Sequence, residues 1–201
     1  MTDARSGHLV VVHADESCLG NQTAGPSKGG AASLIETRSR GAVVRRDLYI
    51  HSNDTTNNRM ALSGAIETLR ALARKKKRLA ICFISDSQYL IKGMTEWIEI
   101  WKARGWRRKG GRIENLALWQ TLSGMISPHS ISWKWVRGHA GDLKNEYVND
   151  MAIKAATEQA SSDGPVKSKF DKWLAERAAR YETMSYDPDI DFEAYEMART
   201  E

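Results

Sequence analysis

Cysteine is nearly absent. Cys18 and Cys82 are the only two in 201 residues; they are far apart and lack the close pairing of a zinc site or a disulfide scaffold. A stapled secreted module is therefore excluded, no structural metal is indicated, and two reduced thiols are expected. Long apolar runs are missing as well. The first, Leu9 to Val12, is far shorter than a signal-peptide core or a membrane span, and a mean hydropathy of −0.52 is too polar for a membrane protein. Internal repeats and low-complexity tracts are also lacking. These absences lead us to expect a cytoplasmic, monomeric protein without membrane attachment.

What is present is enough apolar sequence for one buried core, 41% of the chain, and an excess of positive charge, 30 Lys and Arg against 25 Asp and Glu. A net +5 suits an anionic partner, but many basic proteins bind no nucleic acid, so the distribution of the charge says more than its sum. Basic residues gather at Arg74 to Arg78 and again from Lys102 to Arg112.

Leu9 to Ala14, Gly30 to Glu36 and Ala42 to His51 are short, alternating and rich in branched residues, which predicts three hairpin-linked antiparallel strands. In Thr55 to Lys77, Leu62, Ile66, Leu69 and Ala73 recur at helical spacing and a basic run closes the segment, predicting a long amphipathic helix. Leu79 to Ser85 is an almost unbroken apolar run, as in a strand covered on both faces, and it delivers Asp86 to the carboxyl end of a central strand. Helical stretches from Ser87 to Gly105 and from Glu114 to Met125 precede a fifth strand at Ile131 to Val136 and a last core helix from about Asn145 to Gln159. The expected fold is α/β: a mixed five-stranded sheet flanked by helices over residues 1–160. Residues 161–201 read as a linker, a short helix at Phe170 to Tyr181 and an acidic tail.

Several short motifs occur in order on these elements: Asp-Glu-Ser-Cys-Leu-Gly-Asn from Asp15, Thr-Thr-Asn-Asn-Arg-Met at 55–60, Ser-Asp-Ser-Gln-Tyr-Leu at 85–90, Trp-Val-Arg-Gly-His-Ala-Gly at 135–141, and Asn145-Glu146. Each is weak alone. Together, from about residue 8 to residue 157, they resemble ribonuclease H of the bacterial single-domain type.

The resemblance implies a nuclease that hydrolyses the RNA strand of RNA/DNA hybrids with two magnesium or manganese ions, one activating a water and one stabilising the leaving oxygen. The family holds these ions with four carboxylates, and the matching positions are Asp15, Ala61, Asp86 and Asn149. Ala61 offers no oxygen. Asn149 offers a neutral one, which weakens affinity for a hard ion, so a weakened two-ion site is expected. Glu67 lies about 240° around the helix from Ala61, Glu16 is expected to point to the opposite face of its strand from Asp15 unless a bulge intervenes, and Asp150 lies about 100° from Asn149. Compensation by these three is therefore not expected. His139 matches a mobile family histidine that relays a proton or assists product departure.

For the substrate, Asn21, Asn57, Asn58 and Gln88 match groups that meet base edges and ribose hydroxyls in the minor groove. Trp101, Lys102, Arg104, Trp106, Arg107, Arg108 and Lys109 match a basic protrusion that holds the DNA strand. Plainer readings exist for most of these. Asp86 stands before a helix as a cap would, Asn57 and Asn58 also suit a cap or turn, and the basic stretch also suits a solvated helix end, with Trp97 in the core.

Two functional readings follow: a metal-dependent hybrid nuclease with lowered turnover, or a fold that keeps the hybrid groove but no longer cuts, through divergence or deliberate replacement. A further reading has the acidic tail docking on a basic partner or on the protein's own basic surface.

Overall fold

The computed structural model describes residues 8–20, 27–74, 77–138, 140–179 and 186–198. Strands β1 (His8–Leu19), β2 (Lys28–Ser39) and β3 (Ala42–Ser52) form an antiparallel meander. Arg40 (φ 51°) and Gly41 (φ 84°) make up the two-residue β2–β3 turn, and paired positive φ values there match the right-handed twist of the strands. Helix α1 (Asn57–Ala73) follows, with Thr56 as its N-cap accepting from the Arg59 amide at 3.3 Å. All seven residues of β4 (Leu79–Ser85) are buried, and the strand runs parallel to β1. Helix α2 (Gln88–Lys92), a π-turn (Gly93–Trp97) and helix α3 (Ile98–Ala103) form one continuous rod. Then come α4 (Leu116–Ile126), β5 (Ser130–Trp135), parallel to β4, and α5 (Leu143–Glu158).

Alternation along β1 sorts the core into two layers. Val10, Val12 and Ala14 join Phe83, Ile81, the apolar stripe of α1 and the fully buried Trp119 of α4 on one face. On the other face α5 lies over Ala32 and Leu34 of β2. It lies so close at Gly30 that a Cβ there would sit 2.1 Å from the Ala152 carbonyl oxygen, which explains the glycine.

The mixed sheet with flanking helices is as expected, but it has six strands in the order β5-β4-β1-β2-β3-β6 rather than five. Strand β6 (Val166–Lys167) arises inside the stretch read as a linker and pairs with Arg46 and Asp47 of β3. Helix α6 (Phe170–Ala178) agrees with the expected short helix over the residues described, and the acidic end forms a further helix, α7 (Pro188–Met197). Phe192 of α7 is fully buried against Leu9, Val11, Cys82 and Ile84, an apolar contact worth roughly 2–3 kcal/mol.

Charge then pins this segment to the sheet. Arg45 reaches Glu36, Asp171 and Asp189, Arg38 reaches Glu193 and Glu196, and Lys144 bonds Glu36 (2.9 Å) and the Pro188 carbonyl (3.0 Å). The acidic tail thus docks on the protein's own basic side chains. Lys144 and Glu36 have no exposed side-chain surface at all, and burial, followed by the Lys144 ammonium, pushes neighbouring His13 down to about 3, so that its imidazole is neutral.

Candidate active site

Strand β1 pairs with β4 only as far as Ala14↔Ser85, while its ladder with β2 continues unbroken to Leu19. Asp15, just past the expected strand Leu9 to Ala14, therefore lies inside β1, at the first position where the β4 side of the strand is open. Asp86, leaving β4, turns into that opening. The N-cap of α2 is Ser87, which removes the helix-cap explanation for Asp86.

Glu16 belongs to the same cluster. Carboxylate oxygens of Asp15, Glu16 and Asp86 lie within 4.8 Å of one another, so the expectation that Glu16 points away is corrected. No bulge causes this, because the β1–β2 register is regular through both residues. Beyond Ala14 no β4 backbone separates the two faces, and the longer Glu16 side chain reaches the common edge. The signal in the sequence was the adjacency of the two acids at the point where the neighbouring strand runs out.

The cluster is electrostatically unfavourable by itself. Burial, and then repulsion from Asp86, pushes Asp15 up to about 8, against help from the Glu16 amide that donates to it at 2.6 Å. Burial, and then Asp15 and Asp86, pushes Glu16 up to about 8 as well. An all-oxygen set of close carboxylates short of positive charge fits a hard divalent cation in chemistry and spacing.

Asn149 is half-buried on α5, the helix that packs over β2. Lys144 bonds Glu36 at one level of β2 and Ala152 lies over Gly30 at another; the span between contains Ala32, the β2 partner of Asp15. Asp150 accepts a hydrogen bond from Trp173 at 2.9 Å and faces away toward α6. Ala61 is buried in the main core, and Glu67 pairs with Arg70. His139 and Asn21 lie outside the described residues.

Three of the polar candidates lie at helix starts. Asn57 is exposed and Asn58 half-buried in the first turn of α1, whose start is held beside β1 by the Cys18 thiol, 3.5 Å from the Thr55 carbonyl. Thr56, not either asparagine, caps that helix. Gln88 is exposed at the start of α2, two residues from Asp86.

The basic stretch forms a separate handle. Lys102, Arg104, Arg107, Arg108 and Lys109 are exposed, whereas Trp101 and Trp106 are half-buried. Trp97, expected in the core, is half-buried too and packs between Tyr89, edge-on, and Trp101, tilted. The buried anchor is Trp119, whose indole donates to the Tyr89 hydroxyl at 2.9 Å. Tyr89, Trp97, Trp101, Arg108, Ile113 and Glu114 line a cavity of about 290 Å³ under the handle.

The RNase H family model matches residues 7–160. The chain belongs to the ribonuclease H family. Membership makes it an enzyme, an endoribonuclease. Ribonuclease HI of Pseudomonas aeruginosa is 40% identical over 159 residues, which cover 79% of this chain and 98% of that relative. A ribonuclease H of Syntrophotalea carbinolica is 40% identical over 163 residues, covering 81% and 99% respectively. The crystal structure of LC9-RNase H1, described as a type 1 RNase H with the type 2 active-site motif, is 45% identical, covers 90% of this chain and 88% of its own, and superposes with a TM-score of 0.82. Families of this kind depend on divalent metals, and among the described residues of this ribonuclease H chain the Asp15–Glu16–Asp86 cluster is the group suited to hold one. No helix of the described residues is long and apolar enough to cross a membrane.

Proposed function

We propose that the chain hydrolyses the RNA strand of RNA/DNA hybrids, with Asp15, Glu16 and Asp86 as the carboxylates of a divalent-metal site and Asn149 as a neutral oxygen donor beside them. The observation that carries this reading is the convergence of three carboxylates at the open edge of β1. Glu16 supplies the third negative charge that Ala61 cannot, so the site is less impaired than a count of the family positions implies.

Magnesium, or manganese in its place, would supply the positive charge that polarises the attacking water and the scissile phosphate. The chain's own part is to hold and orient. Asp15, Glu16 and Asp86 fix charge at one edge of the sheet; Asn57, Asn58 and Gln88 meet the minor groove, where a 2′-hydroxyl marks the RNA strand. Lys102, Arg104, Arg107, Arg108 and Lys109, with Trp101 and Trp106, face the phosphates and sugars of the DNA strand. Water adds to phosphorus in line, the bond to the 3′-oxygen breaks, and the products are a 5′-phosphate and a 3′-hydroxyl. His139 and Asn21 keep the roles that their motifs suggest, proton relay and groove contact.

The test is cleavage of an end-labelled hybrid in magnesium and then in manganese. Cutting that disappears in Asp15→Asn and in Glu16→Gln supports the assignment. Binding of hybrid without cutting in either metal favours the second reading, a hybrid-binding protein, to which the uncharged Asn149 lends support.

A further inference from the structure

This inference rests on the reading of Asp86 as a metal ligand and concerns what holds that carboxylate in place. Three contacts come from the chain leaving β5. The Val136 amide donates to the Ser85 carbonyl at 3.1 Å, extending the β4–β5 pairing to the residue before Asp86. The Trp135 indole N–H donates to the main-chain oxygen of Asp86 at 3.0 Å. Trp135 is 47% exposed, so little of its ring is used for core packing and its polar tip is the part with a specific partner.

The third contact is made by Gly138. A Cβ at that position would lie 2.3 Å from Oδ2 of Asp86, 3.3 Å from Cγ and 3.5 Å from its Cβ. Gly138 is not among the glycines with positive φ, so no backbone conformation requires glycine there. What requires it is the space taken by the Asp86 carboxylate.

We infer that Trp135 and Gly138 are positioning residues for Asp86: one fixes its backbone, the other, by lacking a Cβ, leaves room for its carboxylate, and together they set where that oxygen stands relative to Asp15 and Glu16. Magnesium demands near-octahedral oxygens at short range, whereas calcium tolerates irregular ones. Displacing Asp86 therefore weakens magnesium more than calcium.

The experiment is calorimetric titration of the full chain with magnesium and, separately, with calcium, for the parent, Gly138→Ala, Trp135→Phe and Asp86→Asn, with near-UV circular dichroism to establish folding. Gly138→Ala is expected to weaken magnesium roughly tenfold or more, within the range for residues that support metal ligands, and calcium by less; Trp135→Phe, which keeps the ring and loses the donor, is expected to weaken both a few-fold. Magnesium binding unchanged in both variants, while Asp86→Asn abolishes it, overturns the inference and leaves the metal site standing. No binding of either cation to the parent overturns both. Should Gly138→Ala fail to fold, Trp135→Phe decides by the same criterion.

Discussion

Two groups of buried acids lie four residues apart along the β1–β2 ladder, and they have been treated differently by the fold. Glu36, fully buried, meets Lys144, Arg45 and the neutral His13, and the acids of α6 and α7 around it meet the same cations. Asp15 and Glu16, buried less completely, meet chiefly each other and Asp86, and both are pushed up to about 8. Burial of a carboxylate therefore does not by itself mark function. Where the chain supplies the countercharge the acid is a structural fastening; where it does not, a proton or a cation from outside offsets the charge.

The sharpest way to break this contrast is to remove charge at the open edge. Asp15→Asn or Asp86→Asn should cost several kcal/mol of transition-state stabilisation, or about 10³-fold in single-turnover cleavage of a labelled hybrid, while leaving the unfolding midpoint near that of the parent. A loss below about tenfold would remove that residue from the metal site.

The converse applies at the fastening. Lys144→Met leaves Glu36, in a dry site, with Arg45 as its remaining cation and should destabilise the fold by about 3 kcal/mol in urea unfolding. The double variant Lys144→Met with Glu36→Leu should recover most of that loss, because neither charge is then left alone. If the double variant is as unstable as the single one, packing rather than charge dominates there.

Glu16 joins the two cases. Glu16→Gln is expected to weaken magnesium binding by about 10–100-fold, and Ala61→Glu in that background should restore part of it by supplying an acid from α1 instead. A Glu16→Gln variant that cuts like the parent would return the site to two carboxylates.

The smallest effect is expected at Arg38, whose pairs with Glu193 and Glu196 are partly exposed. Arg38→Ala should leave the melting midpoint within scatter at about 0.15 M salt, since screening and side-chain entropy offset exposed pairs.

Much of the fold was legible because its strongest signals are local. The apolar run of β4 was read to the residue, and it placed Asp86 correctly. Glu16 was misplaced because the rule of alternating faces presumes a neighbouring strand on each side, and the pairing with β4 stops at Ala14, two residues short of Glu16. Helix α7 was missed for a different reason: Pro188-Asp-Ile-Asp-Phe is too acidic to look like core, although Asp187 as cap, Pro188 at the first turn, and Phe192 and Tyr195 three apart are a readable helix signature. Only the tertiary partner, the Leu9–Val11–Cys82–Ile84 face, makes its single phenylalanine sufficient. Matching Ala61 and Asn149 to the family's acidic positions raised the question of compensation, and the alternation rule set Glu16 aside, although the structure groups it with Asp15 and Asp86.

Segment 161–168 makes no contribution to the acid cluster, yet it consumes the outer rim of β3. Val166 and Lys167 add ladder pairs at Asp47 and Arg46, the Ser168 amide takes the Arg45 carbonyl, Ser162 bonds the Tyr49 amide and carbonyl, and Ser161 takes the His51 amide. A long strand left bare along that rim is a template on which another chain can add a strand. Serines and two residues of β-structure tie it off, so the stretch that looked most like slack in the sequence covers an edge on which another strand could otherwise add.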